Sequence, residues 1–213
     1  MKIRWHGHAC FEISDGQVVV TDPHDGRSIG IPPPRVKADI VLVSHNHFDH
    51  NSVRSVKGAS SRVYDKAGKF TDGKMDILGV PSFHDDAGGA KRGPVVLFKF
   101  SMDGIRFCHL GDLGCVLGES ELAAIGEVDV LFVPVGNIFT IDAVKAWQVI
   151  RSLNPLVAIP MHYRVGGLSI SVKTIDPFLA EANGKAEAIN VGNVIEFDRQ
   201  DLPETLSAWI FSL

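Results

Sequence analysis

The segment Ser44–His50 contains residues whose types and spacing could bind metal ions: His45, His47, Asp49 and His50. On an α-helix the first two side chains would point about 200° apart and could not bind the same ion. On an extended strand end or a tight loop, residues two apart share a face, so His45 and His47 could bind together. Asp49 and His50 would then turn to the other side. The spacing therefore predicts two adjacent metal positions on a loop.

A histidine-rich surface loop without a ligand is the simpler alternative for this segment. It is disfavoured because the segment directly follows an apolar run, Asp39–Val43, that is typical of a buried strand. Three imidazoles and a carboxylate at that place would crowd polar groups against an apolar layer without partners. Metal binding gives them partners.

Four ligands in one loop cannot complete the coordination of two metal ions, so others must come from elsewhere in the chain. The sequence offers candidates directly after apolar runs that are typical of strands, and open α/β sheets collect ligands at their strand ends. Taken alone, each of the histidines among them is better explained as a hydrogen-bonded or exposed side chain. The histidine-rich segment makes metal binding the better explanation for these candidates: Asp22, His84, Asp112 and His162.

Short apolar, β-branched runs predict the strands that would position these residues. We expect strands buried on both faces at 18–20, 40–43, 95–100, 128–133 and 156–159. The run 11–13 should pair with 18–20 in a hairpin across Asp15-Gly16.

Helices are fewer. The pattern predicts helices over 119–125, over 141–153 with Thr140 as N-cap, and over 177–182 with Asp176 as N-cap. The mixed order of strands and helices indicates an α/β or α+β layered sandwich.

Composition limits the classes of protein to consider. A length of 213 residues, 45% of them hydrophobic, fits one domain over 1–213. A formal charge of −4 argues against general binding to nucleic acid or to an anionic membrane. No apolar stretch approaches the roughly 20 residues that span a bilayer, and no secretory signal is evident. Three cysteines cannot all pair, so a reducing cytoplasm is expected.

With these residues identified, the sequence resembles the metallo-β-lactamase superfamily. It is most similar to a subgroup of small metal-dependent hydrolases related to ascorbate-phosphate lactonase. The resemblance runs from Ile3 to Tyr163 and is carried by these residues: His45-x-His47-x-Asp49-His50, His84, Gly111-Asp112 and Pro160-Met161-His162-Tyr163. Shorter matching phrases are Gly7-His8, Arg92-Gly93 and Thr140-Ile141-Asp142-Ala143.

The resemblance implies a four-layer αββα sandwich with a dinuclear metal site at one edge. By matching positions, the first metal would be held by His45, His47 and His84. The second would be held by Asp49, His50 and His162, with Asp112 bridging both. Asp22 would support a ligand histidine from behind, as carboxylates commonly do in metal sites. Histidine-rich ligation suits Zn²⁺, while Mn²⁺ or iron also occurs in such folds.

The implied activity is hydrolysis. A hydroxide held between the two metals would attack an ester-type bond, in a phosphoester or a lactone of a small anionic substrate. Asp49 is expected to orient this hydroxide and accept its proton. His8 is the candidate that protonates the leaving group, and Tyr163 is a weaker one.

Two other functions fit a similar ligand set. A di-iron redox enzyme is disfavoured because the chain has no room for a flavin domain and because histidine dominates the ligands. A non-catalytic metal-binding module is disfavoured because the ligand set, including Asp49, is complete. Nucleotide-fold enzymes and serine hydrolases are disfavoured because their glycine-rich loop and nucleophile motifs are missing.

The sequence departs from the expected pattern at two positions. Pro94 stands where an asparagine is expected, and Asn137 stands where a glycine is expected. These departures concern the substrate rather than the metals. The remaining histidines need no chemistry. His6 is predicted at a solvated strand edge, His24 in a turn-rich loop close to Asp22, and His109 as a hydrogen-bonded core histidine.

Overall fold

A computed structural model describes residues 1–213, which form two β-sheets and four α-helices, numbered here along the chain. In spatial order, the first sheet consists of β13 (Val194–Glu196), β1 (Lys2–Gly7), β2 (Cys10–Asp15), β3 (Gln17–Thr21), β4 (Ala38–Leu42) and β5 (Lys57–Tyr64). In the same way, the second consists of β12 (Glu187–Gly192), β14 (Ser207–Phe211), β11 (Val157–Met161), β10 (Val130–Pro134), β9 (Ile105–His109), β8 (Pro94–Met102), β7 (Met75–Phe83) and β6 (Gly68–Asp72). The helices are α1 (Val53–Val56), α2 (Glu119–Ile125), α3 (Ala143–Leu153) and α4 (Asp176–Ala182).

The main hydrophobic core lies between the two sheets. Phe11 of β2 and Phe132 of β10 meet there, with ring centroids 4.6 Å apart. Every residue of β10 is buried, because helix α3 covers the other face of the second sheet with Trp147. A smaller apolar cluster joins β3 and β4 to Val56 of α1 on the outer face of the first sheet. These layers confirm the predicted αββα sandwich.

The five predicted strands are all present, and so is the hairpin between β2 and β3. Gly16 turns this hairpin with a φ of +70°, which glycine adopts without steric cost. The prediction that both faces are buried is only partly right for β8, because Val96 and Lys99 are half-buried and Ser101 is exposed. The reason is its antiparallel setting between β7 and β9, where one face of the strand remains partly open to solvent.

Two predicted helix starts are corrected. Helix α3 begins at Ala143, and Asp142, not Thr140, is its N-cap, accepting a 2.8 Å hydrogen bond from the Lys145 amide. Ile141 stays outside the helix because its amide donates to the carbonyl of Leu113. Helix α4 begins at Asp176 itself, with Ile175 in the cap position. Helix α2 has its predicted bounds and ends before Gly126.

The C-terminal segment forms an internal strand. Strand β14 lies between β11 and β12 and runs parallel to both. Phe211 belongs to the same core cluster as Ile3, so the two ends of the chain share one apolar interior. The single domain over 1–213 stays a prediction. No helix combines the length and the apolar character needed to cross a membrane.

Candidate metal centre

The predicted metal-binding side chains lie at strand ends and meet at one edge of the sandwich. The loop with His45, His47, Asp49 and His50 follows β4, and the other ligands follow three strands of the second sheet. The strand before each of these ligands is β7 for His84, β9 for Asp112 and β11 for His162. The carboxyl ends of parallel strands fall at the same edge of a sheet, which brings residues distant in sequence together.

The histidine-rich loop begins in a non-helical conformation, which confirms the prediction. His45 Nε2 and His47 Nδ1 lie 2.9 Å apart, and a turn then directs Asp49 and His50 elsewhere, with the His50 amide donating to the His47 carbonyl. Together with His84, the first two histidines place three donor atoms within 4.8 Å of one another. This set matches the three residues expected at the first metal.

A second set of donor atoms contains Asp49, His50 and His162, and also His8. The Nε2 atom of His8 lies 3.0 Å from Asp49 Oδ2 and 3.1 Å from His50 Nε2. All four donor atoms are within 4.8 Å of one another. The sequence predicted His8 only as the group that protonates the leaving group. It did not predict that His8 lies among the possible metal-binding atoms. A signal was present, since Gly7-His8 follows strand β1 just as the other ligands follow theirs.

Asp112 lies between the two sets. Its Oδ2 atom is 3.3 Å from His84 Nε2 and 3.1 Å from His162 Nε2, while its Oδ1 atom is 3.4 Å from His50 Nε2. The residue is only 2% exposed. A carboxylate at this place can contact an ion in either set, which is the position required of a bridging ligand.

Asp22 contacts the centre from behind. Its Oδ2 atom is 3.0 Å from His50 Nδ1 and accepts a hydrogen bond from the Ser44 hydroxyl, and its Oδ1 atom accepts from the Ser44 amide. The carboxylate thus fixes the ring of His50 and the start of the histidine-rich loop. This is the arrangement by which supporting carboxylates orient metal-binding imidazoles.

The electrostatics of the centre suit cations. Burial lowers the pKa values of His8 and His45 to about 3 each, so both rings are neutral and can offer a lone pair. Burial alone would raise the pKa of Asp112, but the imidazoles of His162 and His50 lower it far below its usual range. The pKa of Asp49 is likewise lowered against burial, by hydrogen bonds with His50 and His8.

His50 differs from its neighbours. Burial would lower its pKa, but Asp112, together with Asp22 and Asp49, raises it well above the usual value. Asp112 Oδ1 is buried without a hydrogen-bond partner. Such orphaned polar atoms are rare in proteins, and coordination to a metal ion is one way in which a buried carboxylate oxygen is satisfied. Close pairs of ring nitrogens, an orphaned carboxylate oxygen and ionised carboxylates together fit divalent cations.

Two glycines let neighbouring backbone approach the ligands. A Cβ atom on Gly136 would lie 2.0 Å from the carbonyl oxygen of His162, and one on Gly114 would lie 2.3 Å from the carbonyl carbon of His84. Neither approach leaves room for a side chain. Asn137, found where a glycine was expected, has a φ of +67°, a left-handed conformation that asparagine tolerates better than most residues.

A cavity of about 420 Å³, the metal-facing cavity, opens onto the centre. Its volume is within the range of small-molecule sites. Four of the candidate ligands face it: His47, Asp49, His84 and Asp112. The remaining walls are formed by Ser28, Phe48, Arg92, Phe139, Ser169, Ile170 and Ser171.

The candidates for proton donation lie away from this cavity. His8 has no exposed surface and is not among the lining residues. The Tyr163 hydroxyl donates a 2.8 Å hydrogen bond to the Phe211 carbonyl inside the core. His24 and His109 contact the backbone carbonyls of His6 and Ala9, respectively. His109 is buried in the core, as predicted. The His6 ring lies 3.2 Å from a Glu12 carboxylate oxygen.

Comparisons with known proteins identify the family of the chain. Residues 2–162 match the sequence profile of the β-lactamase superfamily domain. A UPF0173 metal-dependent hydrolase of Archaeoglobus fulgidus is 29% identical over 192 residues, which cover 76% of this chain and 83% of the relative. A relative with the same description from Carboxydothermus hydrogenoformans is 32% identical over 193 residues, which cover 76% of this chain and 84% of the relative.

Solved structures show the same fold. A Thermotoga maritima protein, described as a candidate Zn-dependent hydrolase of the metallo-β-lactamase superfamily, superposes with a TM-score of 0.81 at 39% identity. The match covers 99% of this chain and 97% of that one. A candidate metal-dependent hydrolase of Parabacteroides distasonis superposes with a TM-score of 0.67 at 21% identity, over 85% of this chain and 88% of the other, and supports the fold alone.

The contact between Asp22 and His50 predicts a loss of metal affinity in Asp22→Asn. Removing the charge behind a ligand histidine should weaken metal binding by about 10- to 100-fold. A competition titration with a chromogenic chelator measures this. Asp25→Asn is the matched control, since the Asp25 carboxylate is hydrogen-bonded to Ser28 and to no candidate ligand. Equal affinity in Asp22→Asn and wild type would contradict the supporting role.

His24 predicts a pH-dependent contribution to stability. Burial lowers its pKa to about 4, whereas the unfolded chain protonates histidine near pH 6.5. Between these values the unfolded state binds the extra proton, so His24 reduces stability progressively as the pH falls from about 6.5 to 4. Glutamine can still donate to the His6 carbonyl but does not titrate. His24→Gln should therefore flatten the decline by about 1.4 kcal/mol per pH unit, measured by urea unfolding at several pH values. Identical slopes for the two proteins would contradict the assignment.

Proposed function

Since the chain belongs to the β-lactamase superfamily and is a metal-dependent hydrolase, we propose that it cleaves an ester-type bond with two divalent cations. The bond is in a phosphoester or a lactone of a small anionic molecule. The observation that carries this proposal is the place of Asp112, between two sets of donor atoms at the end of an open cavity.

In this proposal His45, His47 and His84 would hold one cation, while Asp49, His50 and His162 would hold the other. Asp112 would be a ligand shared by the two. A donor set of five imidazoles and two ionised carboxylates suits Zn²⁺, with Mn²⁺ or iron as alternatives. When bound, such ions supply a hydroxide nucleophile near neutral pH and polarise the carbonyl or phosphoryl oxygen of the substrate.

Asp49 is the residue that we assign to the attacking water. It lines the cavity and is ionised, because hydrogen bonds with His50 and His8 lower its pKa. Its Oδ2 atom contacts the His8 ring. Asp49 is thereby held in a fixed orientation, in which it can accept a hydrogen bond from water and then its proton.

His8 contributes to this orientation. Burial lowers the pKa of His8 to about 3, so its ring is neutral. The Nε2–H group can then donate a hydrogen bond to Asp49 Oδ2. Protonation of the leaving group by His8 stays a prediction. The complete burial of the ring favours the orienting role, because the cavity walls separate His8 from a bound substrate.

We also propose a cellular location and a class of partner for the enzyme. We place the enzyme in the cytoplasm, supported by three free cysteines, two of them buried. Its formal charge of −4 argues against general binding to nucleic acid or to an anionic membrane. The anionic substrate would instead be attracted locally, by the cations at the end of the cavity.

Asp49→Asn should lower kcat by about 100-fold or more, the usual range for loss of a positioned base. The assay uses protein loaded with zinc or manganese and chromogenic phosphodiester, phosphomonoester, lactone and thioester substrates. Asp86→Asn is the control, because Asp86 is exposed and pairs with Lys91 outside the metal-facing cavity. We expect turnover of a phosphoester or the lactone by wild type and by the control.

Two results would contradict this function. A fully metal-loaded wild-type protein that turns over no substrate in the panel would be a metal-binding module. A protein that takes up two irons and shows a reversible redox-active spectrum would support the redox alternative.

A further inference from the structure

Arg92 is the only arginine or lysine that lines the metal-facing cavity. Its backbone amide is hydrogen-bonded, but its guanidinium forms no ion pair and no hydrogen bond within the chain. By contrast, Arg106 is paired with Asp129 and Glu127, and Arg62 with Asp72. A guanidinium offers several N–H donors in a planar fork that matches carboxylate and phosphate oxygens. Arg92 therefore faces the cavity with its binding capacity unused.

The loop from Asp85 to Gly93 holds Arg92 at a fixed offset from the metal centre. The amide of the ligand His84 donates to the Gly93 carbonyl at 3.1 Å, which closes the loop. The Asp85 carboxylate lies inside it and accepts hydrogen bonds of 2.7 to 3.0 Å from four backbone amides, those of Ala87, Gly89, Lys91 and Arg92. The backbone of Arg92 is thus tied to the residue that follows a metal ligand.

Phe139 supports the side chain of Arg92. The guanidinium carbon lies 4.5 Å from the centre of the Phe139 ring, a cation–π distance. Stacking on an aromatic ring fixes the plane of the guanidinium and leaves its edge N–H groups available. Phe139 in turn packs against the apolar cluster of Ile29, Ile31, Leu168 and Val172. The backbone amide and the guanidinium group of Arg92 are therefore both held in place before any ligand binds.

We propose that Arg92 forms an anion subsite, which binds a carboxylate or phosphate group of the substrate separate from the bond that is cleaved. This inference rests on the proposed function, which assigns the bond that is cleaved to the other end of the substrate, at the metal centre. Asp49 and Asp112 also line the cavity, but they face the metal-binding donors, so they leave the guanidinium free. The exposed ring of Phe48 and the side chain of Ile170 offer apolar surface to the carbon skeleton between the two ends.

A comparison of three acids tests the subsite without requiring turnover. Butyrate has one anionic end, whereas succinate and 3-phosphonopropionate carry a second anionic group. Their dissociation constants are measured by calorimetry with zinc-loaded wild type, Arg92→Ala and Arg92→Lys. We expect wild type to bind the two dianionic acids about 10- to 100-fold more tightly than butyrate, the range for charge-assisted hydrogen bonds. Arg92→Ala should reduce this preference to about twofold, and Arg92→Lys should keep part of it.

Lys91→Ala is the matched control. It removes the same charge from the same loop, but Lys91 pairs with Asp86 and does not line the metal-facing cavity. We expect it to keep the wild-type preference. The subsite is overturned if wild type binds all three acids equally, if the preference survives in Arg92→Ala, or if Lys91→Ala abolishes it as well.

Failure of the subsite and failure of the proposed function can be told apart. The binding preference is a property of the metal-loaded protein and does not depend on hydrolysis. A protein that keeps the preference but hydrolyses no substrate has the subsite and lacks the function. A protein that hydrolyses esters without the preference has the function and lacks the subsite.

Discussion

The burial of the Asp112 carboxylate is the constraint on which the arrangement around the centre depends. An ionised group that is 2% exposed needs positive partners, since an isolated buried charge is very costly. The Nε2 atoms of His84, His162 and His50 lie 3.1 to 3.4 Å from its two oxygens. These imidazoles come from loops after different strands, so the register of both sheets has to bring them to one point. Divalent cations between the carboxylate and the ring nitrogens satisfy the same requirement more completely.

The candidate site was predictable from sequence because the candidate ligands lie at the ends of strands or in the loops that follow strands with an apolar pattern. Strands β10 and β11 are buried throughout and read as uninterrupted apolar runs, so their ends could be located. His8 was harder to place, because its contacts with Asp49 and His50 join residues more than forty positions apart. Its position directly after β1 was a local signal, but a histidine at a solvated strand end has the same position.

The rest of the fold was less predictable where local sequence and tertiary context disagree. Strands β5 and β12 are largely exposed, and their sequences show no regular alternation of apolar residues that would identify them. The start of helix α3 depends on the Ile141 amide, which bonds to Leu113 in a distant loop and thereby leaves Asp142 as the cap. Arg92 illustrates the same limit. The sequence shows the Arg92-Gly93 motif of the family, but the stacking of Arg92 on Phe139 is known only from the fold.

The proposed chemistry depends on the donor atoms being a binding site for two cations rather than a self-sufficient polar network. The most direct measurement is the zinc stoichiometry at saturation, determined by elemental analysis after removal of unbound metal, for wild type and for Asp112→Asn. We predict two zinc ions per wild-type chain and a loss of at least one when the bridging carboxylate is neutralised. Wild-type protein that saturates with one ion or none, or a stoichiometry unaffected by Asp112→Asn, would contradict the dinuclear site.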